Sequence, residues 1–123
     1  RDRNGRTVLS WAAENGHEVT FERLIEKGAD FESKDNYSRT VLHWASLGGK
    51  EAVVRMLLEI GADFNSRNDD GESPLYWAAH YGNEAVVRML LEIGADFNSR
   101  NDDGESPLHC AARDGNEAIV RML

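Results

Sequence analysis

A chain of 123 residues with 14 Lys/Arg, 22 Asp/Glu, a formal net charge of −8 and 41% hydrophobic residues has the size of one domain and the balance of a folded protein. It holds no run of ~18 apolar residues to span a membrane and no basic start with an apolar core to mark a signal peptide. The single Cys110 excludes an internal disulfide and a cysteine-based zinc site, and the acidic balance disfavours binding to phosphate backbones.

The chain repeats itself every 33 residues: residues 51–75 recur unchanged as 84–108. The same step relates Thr7, Thr40, Ser73 and Ser106, then Leu9, Leu42, Leu75 and Leu108, then Gly16, Gly49, Gly82 and Gly115. Each unit opens with a Thr or Ser suited to cap a helix, followed in two units by Pro74 and Pro107, which the first helical turn tolerates. This first helix is short and ends near Gly48, Tyr81 or Asp114, with small Ala45, Ala78 and Ala79 allowing close approach of a neighbour. A second helix over about 50–60 and 83–93 carries Val53, Val54, Met56, Leu57, Leu58 and Ile60, so apolar that it must be covered on two sides. Gly61 and Gly94 then suit a left-handed C-cap, and the polar stretch through Asn, Asp and Gly71 reads as an exposed turn finger. One such unit cannot bury its apolar face; stacked copies can.

These residues resemble ankyrin repeats. The resemblance rests on Thr40-Val41-Leu42-His43, Ser73-Pro74-Leu75-Tyr76, Ser106-Pro107-Leu108-His109, the Ala12-Ala13, Ala78-Ala79 and Ala111-Ala112 pairs, and Gly-Ala-Asp-Phe at 28–31, 61–64 and 94–97. It covers the whole chain and implies an all-α solenoid of helix–turn–helix units with short β-turn fingers. The expected units are 2–34, 35–67, 68–100 and 101–123, the last truncated, within a single domain at 1–123. The near-identical copies also resemble the long ankyrin arrays of filamentous fungal proteins, some with a NACHT-type nucleotide-binding module. The chain is therefore expected to be a fragment of an array, with Ile119, Met122 and Leu123 partly uncovered. Two departures carry expectations of their own. Ser38 replaces the finger Gly and should bend its turn less sharply, and Thr20 stands where Val53 and Val86 pack and should weaken the first unit.

Little points to chemistry. His43 and His109 sit two units apart in one register, where the resemblance implies hydrogen bonds to the neighbouring Thr or Ser and to loop backbone. His17 should reach the backbone of an adjacent unit, and His80 stands apart beside Tyr81 as the histidine expected at a contact surface. No His pair has the i, i+4 spacing of a helical metal site. Asn68-Asp69-Asp70-Gly71 fails as a calcium loop, because Ser66 and Trp77 would fall where Asp and Glu are required. Asn36-Tyr37-Ser38 has the spacing of a glycosylation acceptor, but reads as an accident of a finger. Trp11, Trp44 and Trp77 recur at the same step, with Cys110 in the fourth place, and should stack between first helices. No catalytic residue, cofactor or metal is expected, and the chain reads as no enzyme.

The resemblance implies a protein–protein interaction module whose fingers and first helices line a concave groove. A regulatory or sensor array on a larger multidomain protein, such as an NTPase, is the alternative, and an idle spacer the third. The candidate partner-binding residues are Tyr37, Arg39, Asp69, Asp70, Glu72, Asp102, Asp103 and Glu105 on the fingers, with His80, Tyr81 and Arg113 on helix ends. Residues 1–61 hold nine Lys/Arg and ten Asp/Glu, and residues 62–123 five and twelve. The acidic second half points to a partner with a basic segment, while Arg3, Arg6 and Arg39 offer the opposite charge on the first two fingers. The expected protein is a monomer in the cytoplasm, with the nucleus as the other possibility, and binds neither nucleic acid nor membrane.

Overall fold

The structure is a computed structural model that describes residues 1–123. It contains eight helices: α1 Val8–Asn15, α2 Glu18–Glu26, α3 Val41–Gly48, α4 Glu51–Glu59, α5 Pro74–His80, α6 Glu84–Ile93, α7 Pro107–Arg113 and α8 Glu117–Met122. Extended pairing is limited to one isolated bridge between Lys34 and Thr40. No helix is long and apolar enough to cross a membrane. The architecture is an all-α helical repeat solenoid, four helix pairs stacked at the 33-residue step.

Every odd-numbered helix starts in the same way. Thr7, Thr40, Ser73 and Ser106 hold extended backbone, and each hydroxyl accepts the N–H three residues later, from Ser10, His43, Tyr76 and His109. Such a cap contributes about 1 kcal/mol. Helices this short would not persist alone, so packing of their apolar faces holds them. Ala12, Ala13, Ala45, Ala78, Ala79 and Ala111 are all buried where first helices meet. Gly48 tightens one contact further: a Cβ there would overlap the carbonyl oxygen of Glu14 on α1.

Burial shows which way each register faces. Val41, Pro74 and Pro107 are buried but Val8 is 65% exposed, and Val53, Val86 and Ile119 are buried but Thr20 is exposed. These positions therefore look toward the preceding unit. Leu9, Leu42 and Leu75 are buried but Leu108 is 42% exposed, and Phe21, Val54 and Val87 are buried but Val120 is exposed. These look toward the following unit. Two expectations change as a result. Thr20 does not stand in a packed site, because its face of the first unit meets solvent, where a hydroxyl is at no disadvantage. Ile119 is not left uncovered: it is fully buried and belongs to the one continuous core, while Met122 and Leu123 are half-buried against it.

The finger turns also differ from expectation. Ser38 takes φ of 62°, beside 77°, 76° and 77° at Gly5, Gly71 and Gly104. The second finger is thus bent as sharply as the rest, because the bonds across it leave no other path. A left-handed conformation costs a non-glycine residue roughly 1–2 kcal/mol, while extra freedom in the unfolded chain costs glycine about 0.4–1 kcal/mol. Ser38→Gly should therefore stabilise the protein by about 0.5–1 kcal/mol. An unchanged or lower denaturant midpoint would show that the serine is not strained.

Candidate functional site

The fingers are held rigidly. At each base one Asx side chain closes the turn: Oδ1 of Asp2, Asp35, Asn68 and Asn101 accepts the backbone N–H groups two and four residues later, each at 2.9–3.0 Å. The tips are then joined across units. The N–H of Asn36 donates to the Asn4 carbonyl at 2.8 Å, that of Asp69 to Tyr37 at 2.9 Å, and that of Asp102 to Asp70 at 2.9 Å. Basic side chains that the sequence reading did not single out complete the frame. Arg1 donates to the carbonyls of Gly5 and Lys34, Arg67 to those of Gly71 and Arg100, and Arg100 to that of Gly104.

The six finger carboxylates do not form one set. Asp69, Asp70, Asp102 and Asp103 are exposed at the two tips. Glu72 turns inward and its Oε1 accepts from Asn68 Nδ2 at 3.0 Å and the Trp77 indole N–H at 2.9 Å. Glu105 accepts from Asn101 Nδ2 at 3.4 Å, Tyr76 Oη at 3.4 Å and Arg113 Nη1 at 2.5 Å. The Asn101 amide, with Arg113 beside it, holds the Glu105 carboxyl below its ordinary pKa.

The basic residues expected on the first two fingers are also largely spent. Arg6 is buried between the rings of Trp11 and Trp44, with its guanidinium carbon 3.6 and 3.5 Å from their centroids, and it pairs with Glu14 at 2.9 Å. Arg39 pairs with Asp35 at 2.6 Å and lies over Tyr37 and Trp44. Only Arg3 among them is exposed. The register of Arg6, Arg39, Glu72 and Glu105 follows the residue five places later. An arginine stacks on the faces of the first two tryptophans, and a glutamate takes the N–H of the third.

First-helix side chains meet the finger bases at Trp77–Glu72 and Tyr76–Glu105. Trp44, Tyr76, Trp77 and Cys110 form a buried cluster with Leu47 against it, and Trp44 meets Trp77 edge to face at 5.4 Å. The Trp44 indole N–H is buried without a partner, whereas that of Trp11, which is 45% exposed, donates to Asp2 Oδ2. Burial raises the Tyr76 hydroxyl to about 12, so it remains a donor at neutral pH. Tyr81 is 52% exposed and packs edge-on against His80, which is itself exposed. His80 also reaches Cys110, whose thiol pKa burial pushes up.

The other histidines are structural or free. His43 Nδ1 accepts from the Thr40 N–H at 3.1 Å and the Thr40 hydroxyl at 2.8 Å, while Nε2–H donates to the Glu72 carbonyl of the next unit at 2.8 Å. Burial lowers its pKa to about 4. His109 repeats the cap with Ser106 but is exposed. His17 is exposed and makes no cap bond. The bond expected of it is made two units on by Asn83, whose Nδ2 donates to the carbonyls of Ser46 and Leu47. Asn36, the glycosylation candidate, donates through Nδ2 to the Arg3 carbonyl and so belongs to the finger frame.

Comparison with known families gives one result. The family model described as ankyrin repeats (3 copies) matches residues 1–68 and again 60–123. No curated protein matches the sequence.

Proposed function

The chain belongs to the ankyrin-repeat family, whose members are generally non-catalytic modules for protein–protein interaction, and on that premise we propose that it binds a protein partner carrying a basic segment. Its third and fourth fingers would receive that segment. The observation that carries this reading is the set of four solvated aspartates, Asp69, Asp70, Asp102 and Asp103, on two tips tied together through the Asp102 N–H. A rigid frame presents these charges in fixed positions, so little ordering is needed on binding. Exposed His80 and Tyr81 lie at the C-terminal end of α5 in the third unit, the latter as its C-cap, and offer aromatic surface to the same partner. Glu72, Glu105, Arg39 and Arg113 are left to support neighbouring side chains, since their own partners already occupy them.

The test is selection of displayed random peptides on the immobilised chain, followed by association kinetics of the strongest binder. Lys/Arg enrichment at one end of the selected peptides is expected. Changing all four aspartates to Asn should slow association about tenfold or more at low salt and flatten its salt dependence. Peptides without basic bias, or a rate that ignores the four substitutions, would overturn the electrostatic reading.

A further inference from the structure

The 25-residue copies at 51–75 and 84–108 carry the third and fourth units in step through their opening fingers up to Leu75 and Leu108, after which the two first helices part company, from Tyr76 and His109 onward. Trp77 gives way to Cys110, His80 to Arg113 and Tyr81 to Asp114. The fold gathers three residues from these divergent registers at one point. His80 Nδ1 lies 3.0 Å from Cys110 Sγ and 3.6 Å from Asp114 Oδ2, and the sulfur and that carboxylate oxygen are 4.0 Å apart. We propose that His80, Cys110 and Asp114 form a binding site for one zinc ion, bridging α5 and α7.

The geometry is close to what the ion needs. Tetrahedral zinc with a sulfur bond of ~2.3 Å and nitrogen and oxygen bonds of ~2.0–2.2 Å sets its donors roughly 3.3–3.6 Å apart. Adjustments of about 0.5 Å would reach that arrangement. His80 and Asp114 are exposed and can make them, while Cys110 is held in the buried cluster. His80 Nδ1 and Cys110 Sγ already face one another at 3.0 Å, so the ring nitrogen is turned toward the sulfur rather than away from it. One thiolate, one imidazole and one carboxylate suit zinc, whereas magnesium and calcium take oxygen donors alone. Three protein ligands leave the fourth position to water.

Binding balances in atoms and charge. The Cys110 S–H bond breaks, its proton passes to solvent, and the sulfur pair forms the bond to zinc. Thiolate and carboxylate together match the charge of the ion. Arg113 is the opposing cation, with Nη2 3.5 Å from the sulfur and Nε 4.0 Å from Asp114 Oδ1, but Glu105 anchors and neutralises it at 2.5 Å. The single cysteine excludes the cysteine-rich sites sought in the sequence. This mixed set escapes that search because its donors are 30 and 4 residues apart and come from two units.

Cobalt(II) titrated into the 123-residue chain tests the site, since a cobalt–thiolate bond gives a near-ultraviolet charge-transfer band and tetrahedral cobalt gives visible bands. One equivalent of cobalt should produce both, and zinc should bleach them. Cys110→Ser should abolish the charge-transfer band. His80→Asn and Asp114→Asn change exposed residues, so they keep the test valid even if the serine variant misfolds. Each should weaken zinc binding by about tenfold or more, and Arg113→Gln should strengthen it. Absence of the thiolate band in the parent chain, or undiminished zinc affinity in both Asn variants, would overturn the proposal.

Discussion

Leu75→Ala should destabilise the protein by about 2–5 kcal/mol, while Leu108→Ala should cost less than about 1 kcal/mol. The two leucines end identical Glu-Ser-Pro-Leu stretches at 72–75 and 105–108 and occupy the same place in helices that begin with the same Ser cap and Pro. Helix propensity, capping and the unfolded-state contribution therefore cancel between them. What differs is the neighbour. Leu75 is fully buried between the third unit and the fourth, whereas Leu108 is 42% exposed. Truncating Leu75 removes three heavy atoms from a packed interior and leaves a cavity that flanking helices can close only in part. Denaturant midpoints of the two variants check the prediction. Equal losses would mean that stability arises within each unit rather than at the interfaces between units, contrary to the stacking read from burial.

The register was readable because it depends on local rules. Thr7, Thr40, Ser73 and Ser106 cap helices whatever stands next to them, and Gly61 and Gly94 take positive φ because the chain must turn there. The helix limits follow from these signals, and α4 and α6 fall within a residue of the expected ranges. Side-chain partners were less readable, because they depend on residues a unit away. Arg6 looks like a free cation in the sequence, yet Trp44 from the second unit covers it from above and Trp11 from below. Glu72 reads in the sequence as one of six finger carboxylates open to a partner, yet it turns inward to the Trp77 indole. The neighbourhood of Cys110 was hidden for the same reason: its histidine lies 30 residues away on another helix.

Acidification should weaken the fold in a window set by His43. Its imidazole is fully buried and its pKa falls from 6.5 to about 4 in the folded state, chiefly because burial penalises the charged form. The bond from Nε2–H to the Glu72 carbonyl opposes this only partly. Between these values the unfolded chain binds a proton that the native chain refuses, so stability rises with pH across the window and falls as pH drops through it. A shift of this size corresponds to about 2–3 kcal/mol lost between neutral pH and pH ~4.5. Glu105 and Asp2 act lower down: their carboxyl pKa values are depressed from 4.5 and 3.8, so their contributions disappear only below those values. The interval above them therefore reports the histidine. Denaturation midpoints taken across that interval should decline in the parent chain and stay flat in His43→Leu, whatever that variant's stability at neutral pH. The His43 ring signals should titrate near pH 4 in the native state. A midpoint at the ordinary histidine value would mean that the ring accepts its charge inside the stack, and the Thr40–His43–Glu72 link would then have to open to admit water.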